Sequence, residues 1–266
     1  MSWRKEMEST SWLKQTDQPL YPDLLWAKPE NKRQSGKLLI IGGHKQSFSA
    51  VSKAYAAASK AGAGTIRVLL PMPLQKMLAK TFPEAEFADS TTIGSFSRQA
   101  LGLFLELSGW ADGVLLAGEF GRNSETAILL ENYVAKFAGQ LTLAGDSLDY
   151  FYKNADAVMK RPQTTLVGSL AQIQRLAPPA IRQQDQLAQL VNKLSIFTDK
   201  TYSFFITLQN GQIIVAGQGK VSTTLANKEG QVGAELAAYA SVWRLQQPAK
   251  PFEASTTAAY CFSENQ

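Results

Sequence analysis

Cysteine and histidine occur once each in the 266 residues, and that scarcity excludes several chemistries. A lone Cys261 rules out an intrachain disulfide and fits a reducing, cytoplasmic setting. It lies in an apolar helical stretch, residues 258–262, where a buried and inert thiol is expected. One His and one Cys with no ligand spacing cannot build a transition-metal site. No apolar run of about 18 residues is present, so no membrane span is expected. The first residues mix charges and lack an apolar core, so no secretory signal is read there. Lys and Arg number 27 against 22 Asp and Glu, a net charge of +5. These cations are scattered, and only Lys28, Lys32, Arg33 and Lys37 group loosely. Nucleic-acid interfaces concentrate basic charge and interleave aromatics. A small anionic molecule such as a nucleotide is therefore the expected partner, not nucleic acid.

What is present is alternation. Residues 1–35 read as a polar N-terminal arm carrying Trp3, Trp12 and Trp26, with a short helix near Glu6–Lys14. Residues 36–266 read as one α/β domain, and the 45% hydrophobic content supplies a sizeable core. Lys37–Ile41 is a continuous apolar run, as expected of a strand buried on both faces. Ser49–Ala61 is an Ala-rich helix that stops at Gly62-Ala-Gly64, and Thr65–Leu70 is a second strand. Helices follow at 99–107, 124–137, 185–197, 233–247 and about 252–262, with Ser124 or Asn123 as a cap for the second of these. Strands are expected at 113–117, 141–144, 164–167, 202–208 and 212–216, the last two joined by Asn210-Gly211, a hairpin signal. Residues 220–225 add a third antiparallel strand. Strands alternating with helices predict a mostly parallel sheet covered on both faces.

In an open parallel sheet, ligands bind beyond the carboxyl ends of the strands. Four segments fall there: 42–48, 117–122, 144–149 and 168–172, with 230–234 joining them from a later crossover. Together they resemble the ADP/ATP-dependent NAD(P)H-hydrate dehydratases of the ribokinase-like superfamily. Residues 32–43, ending in Gly42-Gly43, and 54–64, ending in Ala-Gly-Ala-Gly, look like that family's opening strand, double glycine and turn. Pro83-Glu84 matches its Pro-Glu pair. Residues 117–122 resemble its Gly-Pro-Gly-Leu-Gly-Arg loop, keeping Gly121 and Arg122. Residues 144–149 resemble its Asp-Ala-Asp-Ala-Leu-Asn, keeping Asp146 and Leu148. The likeness runs over about residues 25–262.

The resemblance implies a three-layer α/β/α ribokinase-like fold with an antiparallel hairpin at one edge of the sheet. It implies ADP or ATP with Mg²⁺, a hydrated nicotinamide dinucleotide as substrate, and a homo-oligomer. Gly42, Gly43, His44, Gly118, Gly121, Arg122, Gly230 and Gly233 are the expected nucleotide- or substrate-binding residues. Asp146 is the surviving carboxylate for catalysis or Mg²⁺, and no resident metal is expected. The departures point the other way. The family's Gly-Thr-Gly-Asp is reduced to Gln231-Val-Gly-Ala234, so the proton acceptor is missing. Its His and Glu are replaced over Val167–Gln172, its Leu-Lys-Gly becomes Leu208-Gln209-Asn210, and Glu119 enters the middle Gly-rich loop. Three readings follow: a nucleotide-binding homologue with weak or lost catalysis, an active kinase that has moved its chemistry to Asp146 or Glu235, and a non-enzymatic protein whose tryptophan-bearing arm docks on a partner.

Overall fold

The computed structural model describes residues 12–177, 181–182, 184–226 and 233–265. In chain order the elements are β1 (Trp12–Gln15), α1 (Pro22–Trp26), β2 (Lys37–Gly42), α2 (Ser49–Ala61), β3 (Thr65–Pro71), α3 (Gln75–Leu78), β4 (Ala85–Ala88), α4 (Leu101–Trp110), β5 (Gly113–Gly118) and α5 (Ser124–Lys136). Then come β6 (Gln140–Ala144), α6 (Asp156–Met159), β7 (Thr164–Val167), α7 (Leu170–Leu176), α8 (Leu187–Thr198), β8 (Phe204–Gln209), β9 (Gln212–Gly217), β10 (Lys220–Leu225), α9 (Ala234–Gln246) and α10 (Pro251–Glu264).

Strand β2 shows why the sheet is central. Leu38 and Ile40 face one core while Leu39 and Ile41 face the other, and all four are fully buried. The same alternation holds in β5, where Leu115 and Ala117 oppose Val114 and Leu116. Helices α1, α2, α9 and α10 cover the first face, and α4, α5, α7 and α8 cover the second. Period-2 burial on both sides requires apolar residues at every position, hence the unbroken hydrophobic runs.

The ten strands form one sheet in the order β1-β10-β9-β8-β7-β6-β5-β2-β3-β4. Pairing is parallel from β8 through β4, and β8, β9 and β10 are antiparallel. Asn210 and Gly211 turn the β8–β9 hairpin with φ of 50° and 70°, the left-handed pair such turns require. Gly62 ends α2 at φ 92°, and the Asn123 side chain accepts from the Glu125 and Thr126 amides to start α5.

Three expectations change. The helix read near Glu6–Lys14 is, over its described part, the strand β1, parallel to β10. Gln15 holds it there, donating to Thr224 Oγ1 at 3.0 Å and to Thr256 O at 3.3 Å while accepting from Leu20 N. Helix α8 begins at Leu187, because the Asp185 carboxylate accepts from Arg182 N and pairs with Lys193, each at 2.8 Å. The helix read from Gln99 starts as a 3₁₀ turn, Arg98–Ala100, before α4.

The chain passes from β2 to β3 on one side, then returns to β2's other side as β5. That reversal opens a crevice at the carboxyl ends of the parallel strands.

Candidate functional site

A cleft of about 980 Å³ lies over the carboxyl ends of β5, β6, β7 and β8 and takes in the first turns of α2 and α9. This is the upper end of the size range of small-molecule sites.

The β5 end is built by close backbone approach. Gly43 N donates to Gly118 O at 2.9 Å. A Cβ on Gly42 would lie 2.6 Å from that same oxygen. Gly118 itself has φ 107° and faces Asp146, whose Oδ1 would sit 3.4 Å from an added Cβ. Next comes Glu119, a non-glycine at φ 61°. Its Oε1 accepts from Ser47 Oγ at 2.6 Å and its Oε2 from Ala50 N at 2.9 Å. The N-terminus of α2 is thus capped from another strand, because its own preceding residue, Phe48, caps nothing.

Asp146 stands in the 3₁₀ turn Gly145–Phe151 after β6 and accepts from Phe120 N at 3.2 Å. Burial pushes its carboxyl pKa up, and the charge of Asp149 adds to this, while the main-chain amides of Phe120 and Gly121 oppose it. Asp149 accepts from Tyr152 OH at 2.5 Å and from Gln172 Nε2 at 3.1 Å. Gln172 also donates to Gly145 O at 2.9 Å and completes a capping box with Ser169 at the start of α7. Where the family resemblance expected a glutamate, this glutamine ties α7 to the β6 turn.

Helix α9 opens into the cleft at Ala234, which is 8% exposed. Gly233 precedes it in an extended conformation, and among the described residues no side chain caps this helix. Of the three helix starts at the cleft, α2 is closed by Glu119 and α7 by Ser169. The first turn of α9 presents the positive end of its helix dipole to the cleft, and no described side chain meets its amides.

The structure brings Gly118, Asp146, Gly233 and Ala234 together on the cleft wall. Gly42, Gly43, His44, Gly121 and Arg122 stand off it. Gly42 and Gly43 serve the backbone packing just described. His44 lies behind the loop, its ring Cδ2 3.5 Å from where a Gly121 Cβ would be, with Nδ1 buried and unpaired. Arg122 is exposed. Gly230 falls outside the described residues. Ser49, Lys53, Asp149 and Ser169 also line the cleft, and sequence reasoning did not single them out. Cys261 is half-buried, and burial pushes its thiol up to about 11.

Among the described lining residues, Glu119, Asp146, Asp149 and Glu235 face a single cation, Lys53. No cluster of three or more His, Cys, Asp or Glu able to hold a metal ion occurs among the described residues. The set suits a divalent cation that arrives with phosphates and needs only one or two carboxylates. Asp146 and Asp149 are the pair on one turn that could meet it, since Glu119 is committed to α2.

No protein-family profile matches the chain. Solved structures do. A ribokinase-like superfamily protein of Enterococcus faecalis superposes with a TM-score of 0.73 at 18% identity, covering 96% of this chain and 87% of that one. A hypothetical protein of Streptococcus mutans gives 0.70 at 18%, covering 91% and 86%. The ADP/ATP-dependent NAD(P)H-hydrate dehydratase of Bacillus subtilis, co-crystallised with ATP and Mg²⁺, gives 0.65 at 14%, covering 94% and 89%. Likeness at such identities speaks for architecture, and the architecture of this chain is the ribokinase-like fold, shared with the NAD(P)H-hydrate dehydratase among others.

Proposed function

We propose that this protein binds an adenine nucleotide with Mg²⁺ in the cleft, in the manner of the NAD(P)H-hydrate dehydratases, and has lost most of their catalysis. The observation that carries this reading is Ala234. It is the first residue of α9, buried on the cleft wall beside amides that no described side chain caps. Those amides suit a phosphate. The methyl group cannot take the proton of an attacking hydroxyl, a role typically worth 10²–10⁴-fold. The dehydratase solved with ATP and Mg²⁺ supports the choice of ligand.

The test is thermal unfolding with ADP, ATP, AMP, NAD, NADP and NADPH, each with and without Mg²⁺, followed by a hydrate-repair assay. Binding raises stability by RT ln(1 + [L]/Kd), about 2.7 kcal/mol at a hundredfold excess. The expected result is a Mg²⁺-dependent rise with ADP or ATP and little or no restored NADH. Flat curves with all six ligands would defeat the binding half.

A second reading is an active small-molecule kinase using a relocated base. Asp146 favours it, because burial shifts its pKa upward, the direction a base working near neutral pH requires. Glu235 also lines the cleft and is exposed. Turnover that vanishes in Asp146→Ala or in Glu235→Ala would establish this reading, and an absence of turnover with any nucleotide would sink it.

A further inference from the structure

The opposite end of the strands carries a second pocket, of about 250 Å³. It opens between the amino ends of β6, β7 and β8, marked by Gln140, Gln163 and Phe204, and is closed by Gln218 and by the residues around Pro248 and Pro251. One charged group lines it among the described residues: Arg244, near the end of α9 and 5% exposed.

Arg244 is a buried cation with no counter-ion among the described residues. Its Nη1 donates to Thr165 Oγ1 and, at 3.3 Å, to Thr164 O. Its guanidinium lies 4.5 Å from the Phe204 ring centroid. Nε and Nη2 meet no acceptor among the described residues. Arg161, buried nearby in the same fold, shows what a purely structural arginine looks like. All three of its guanidinium nitrogens donate to protein oxygens: Nε and Nη2 to Phe137 O, Nη2 to Gly139 O, and Nη1 to Pro162 O and Thr164 Oγ1. Burying an arginine is costly unless an anion or a full set of acceptors offsets the lost hydration. Burial pulls the Arg244 pKa down only to about 10, so it stays charged at neutral pH.

The backbone around it is also unusual. Gln163, just before β7, adopts a left-handed φ of 55° without being glycine, a conformation that collects at functional sites. Gln218 has φ 54° for a different reason: with Gly219 at 74° it turns the β9–β10 hairpin. Acids among the described residues do not fill the gap. Glu253 and Asp23, near Pro251, pair with Lys220 and Lys250. The carboxyl end of α10 lies about 20 Å away along that helix, at roughly 1.5 Å per residue.

We propose that this pocket binds a small oxyanion, a carboxylate or phosphate group, whose two oxygens meet the open Nε–Nη2 edge of Arg244. That edge is the planar fork that recognises such groups in bidentate fashion. The pocket is at the opposite end of the strands from the cleft, so the inference does not rest on nucleotide binding there.

The test is thermal unfolding of the full chain in sodium chloride, sodium acetate and sodium phosphate at matched ionic strength. Wild type is compared with Arg244→Met and with Gln163→Glu, which keeps the arginine and adds a carboxylate to the lining. Wild type should melt roughly 2 to 3 °C higher at a tenfold excess of anion over Kd. Acetate alone acting would indicate a planar carboxylate site, and phosphate acting would indicate a tetrahedral one. The rise should vanish in Arg244→Met. In Gln163→Glu the melting point in chloride should rise and the anion response should fall at least twofold. No response in wild type, or an equal response in Arg244→Met, overturns the proposal. If Arg244→Met does not fold, an undiminished anion response in Gln163→Glu overturns it instead.

Discussion

The Glu119 carboxylate lies on the first turn of α2, with Oε2 accepting from Ala50 N at 2.9 Å. The backbone enters a left-handed conformation to put it there. A side chain of the chain itself thus occupies one helix start at the cleft, and the start of the other long helix, α9, is the place for the phosphate of the proposed nucleotide.

Replacing Glu119 by Ala removes this cap and leaves the left-handed backbone. The expected loss is about 1–2 kcal/mol, the usual size of an N-cap deletion. Glu119→Gly should lose less, because glycine adopts φ 61° without penalty. Urea unfolding of both variants checks the order, and a Gly variant less stable than the Ala one would contradict it.

Ala234→Asp restores a proton acceptor at the start of α9, where the helix dipole favours a negative charge. The variant is expected to raise nucleotide-dependent turnover by about 10²-fold, the low end of what a positioned base contributes. The other departures, Gln172 among them, hold it to that end. Phosphate release measured on wild type and variant decides, and a folded, nucleotide-binding variant with no gain would show that Ala234 is not the limiting loss.

Asp146 has a folded pKa above its ordinary 3.8, with burial the leading cause and Asp149 the facing charge. A raised carboxyl pKa means that the folded state holds the proton more tightly than the unfolded chain. The stability from that preference is fully present below the unfolded pKa and is lost as pH rises through the folded one. Asp146→Asn keeps the acceptor for Phe120 N–H and cannot ionise. It should match wild type at low pH and become the more stable protein as pH rises to neutrality. Denaturant midpoints measured across that range would rule this out if the two curves stayed parallel.

Gly42→Ala should cost stability, not ligand affinity alone. The new Cβ would sit 2.6 Å from Gly118 O and 3.0 Å from Val51 Cγ2, contacts the core cannot absorb without shifting. Overpacking of this kind costs about 1–3 kcal/mol. A variant of unchanged melting temperature and weaker nucleotide binding would place Gly42 at the ligand instead.

The unit β2–α2–β3 was legible in the sequence because local signals agree there. An apolar run, an Ala-rich helix and the Gly62 stop point to one answer, and the helix bounds coincide with the structure. The four-residue β1 was not legible, since its pairing with β10 is set by partners 209 residues away and not by its own pattern. Much of the cleft followed from the rule that ligands sit at strand carboxyl ends, which pointed to Gly118, Asp146, Gly233 and Ala234, four residues that line one cleft. The rule could not separate residues that face the cleft from those that support it, as Gly42 and His44 do. Glu119 was visible as a charge in a glycine loop, but its reach to α2 depends on φ. Arg244 left one signal, a lone cation closing the apolar run Leu236–Trp243.

Strand β1 also orders events in time. It is made first, yet its pairing partner, Thr224 for Gln15, follows 209 residues later. At about 5–20 residues per second, synthesis leaves the arm waiting on the order of 10 to 40 s before the edge it closes exists. Docking of β1 is then a late step in folding, and until it happens β10 presents an open edge to any other extended chain.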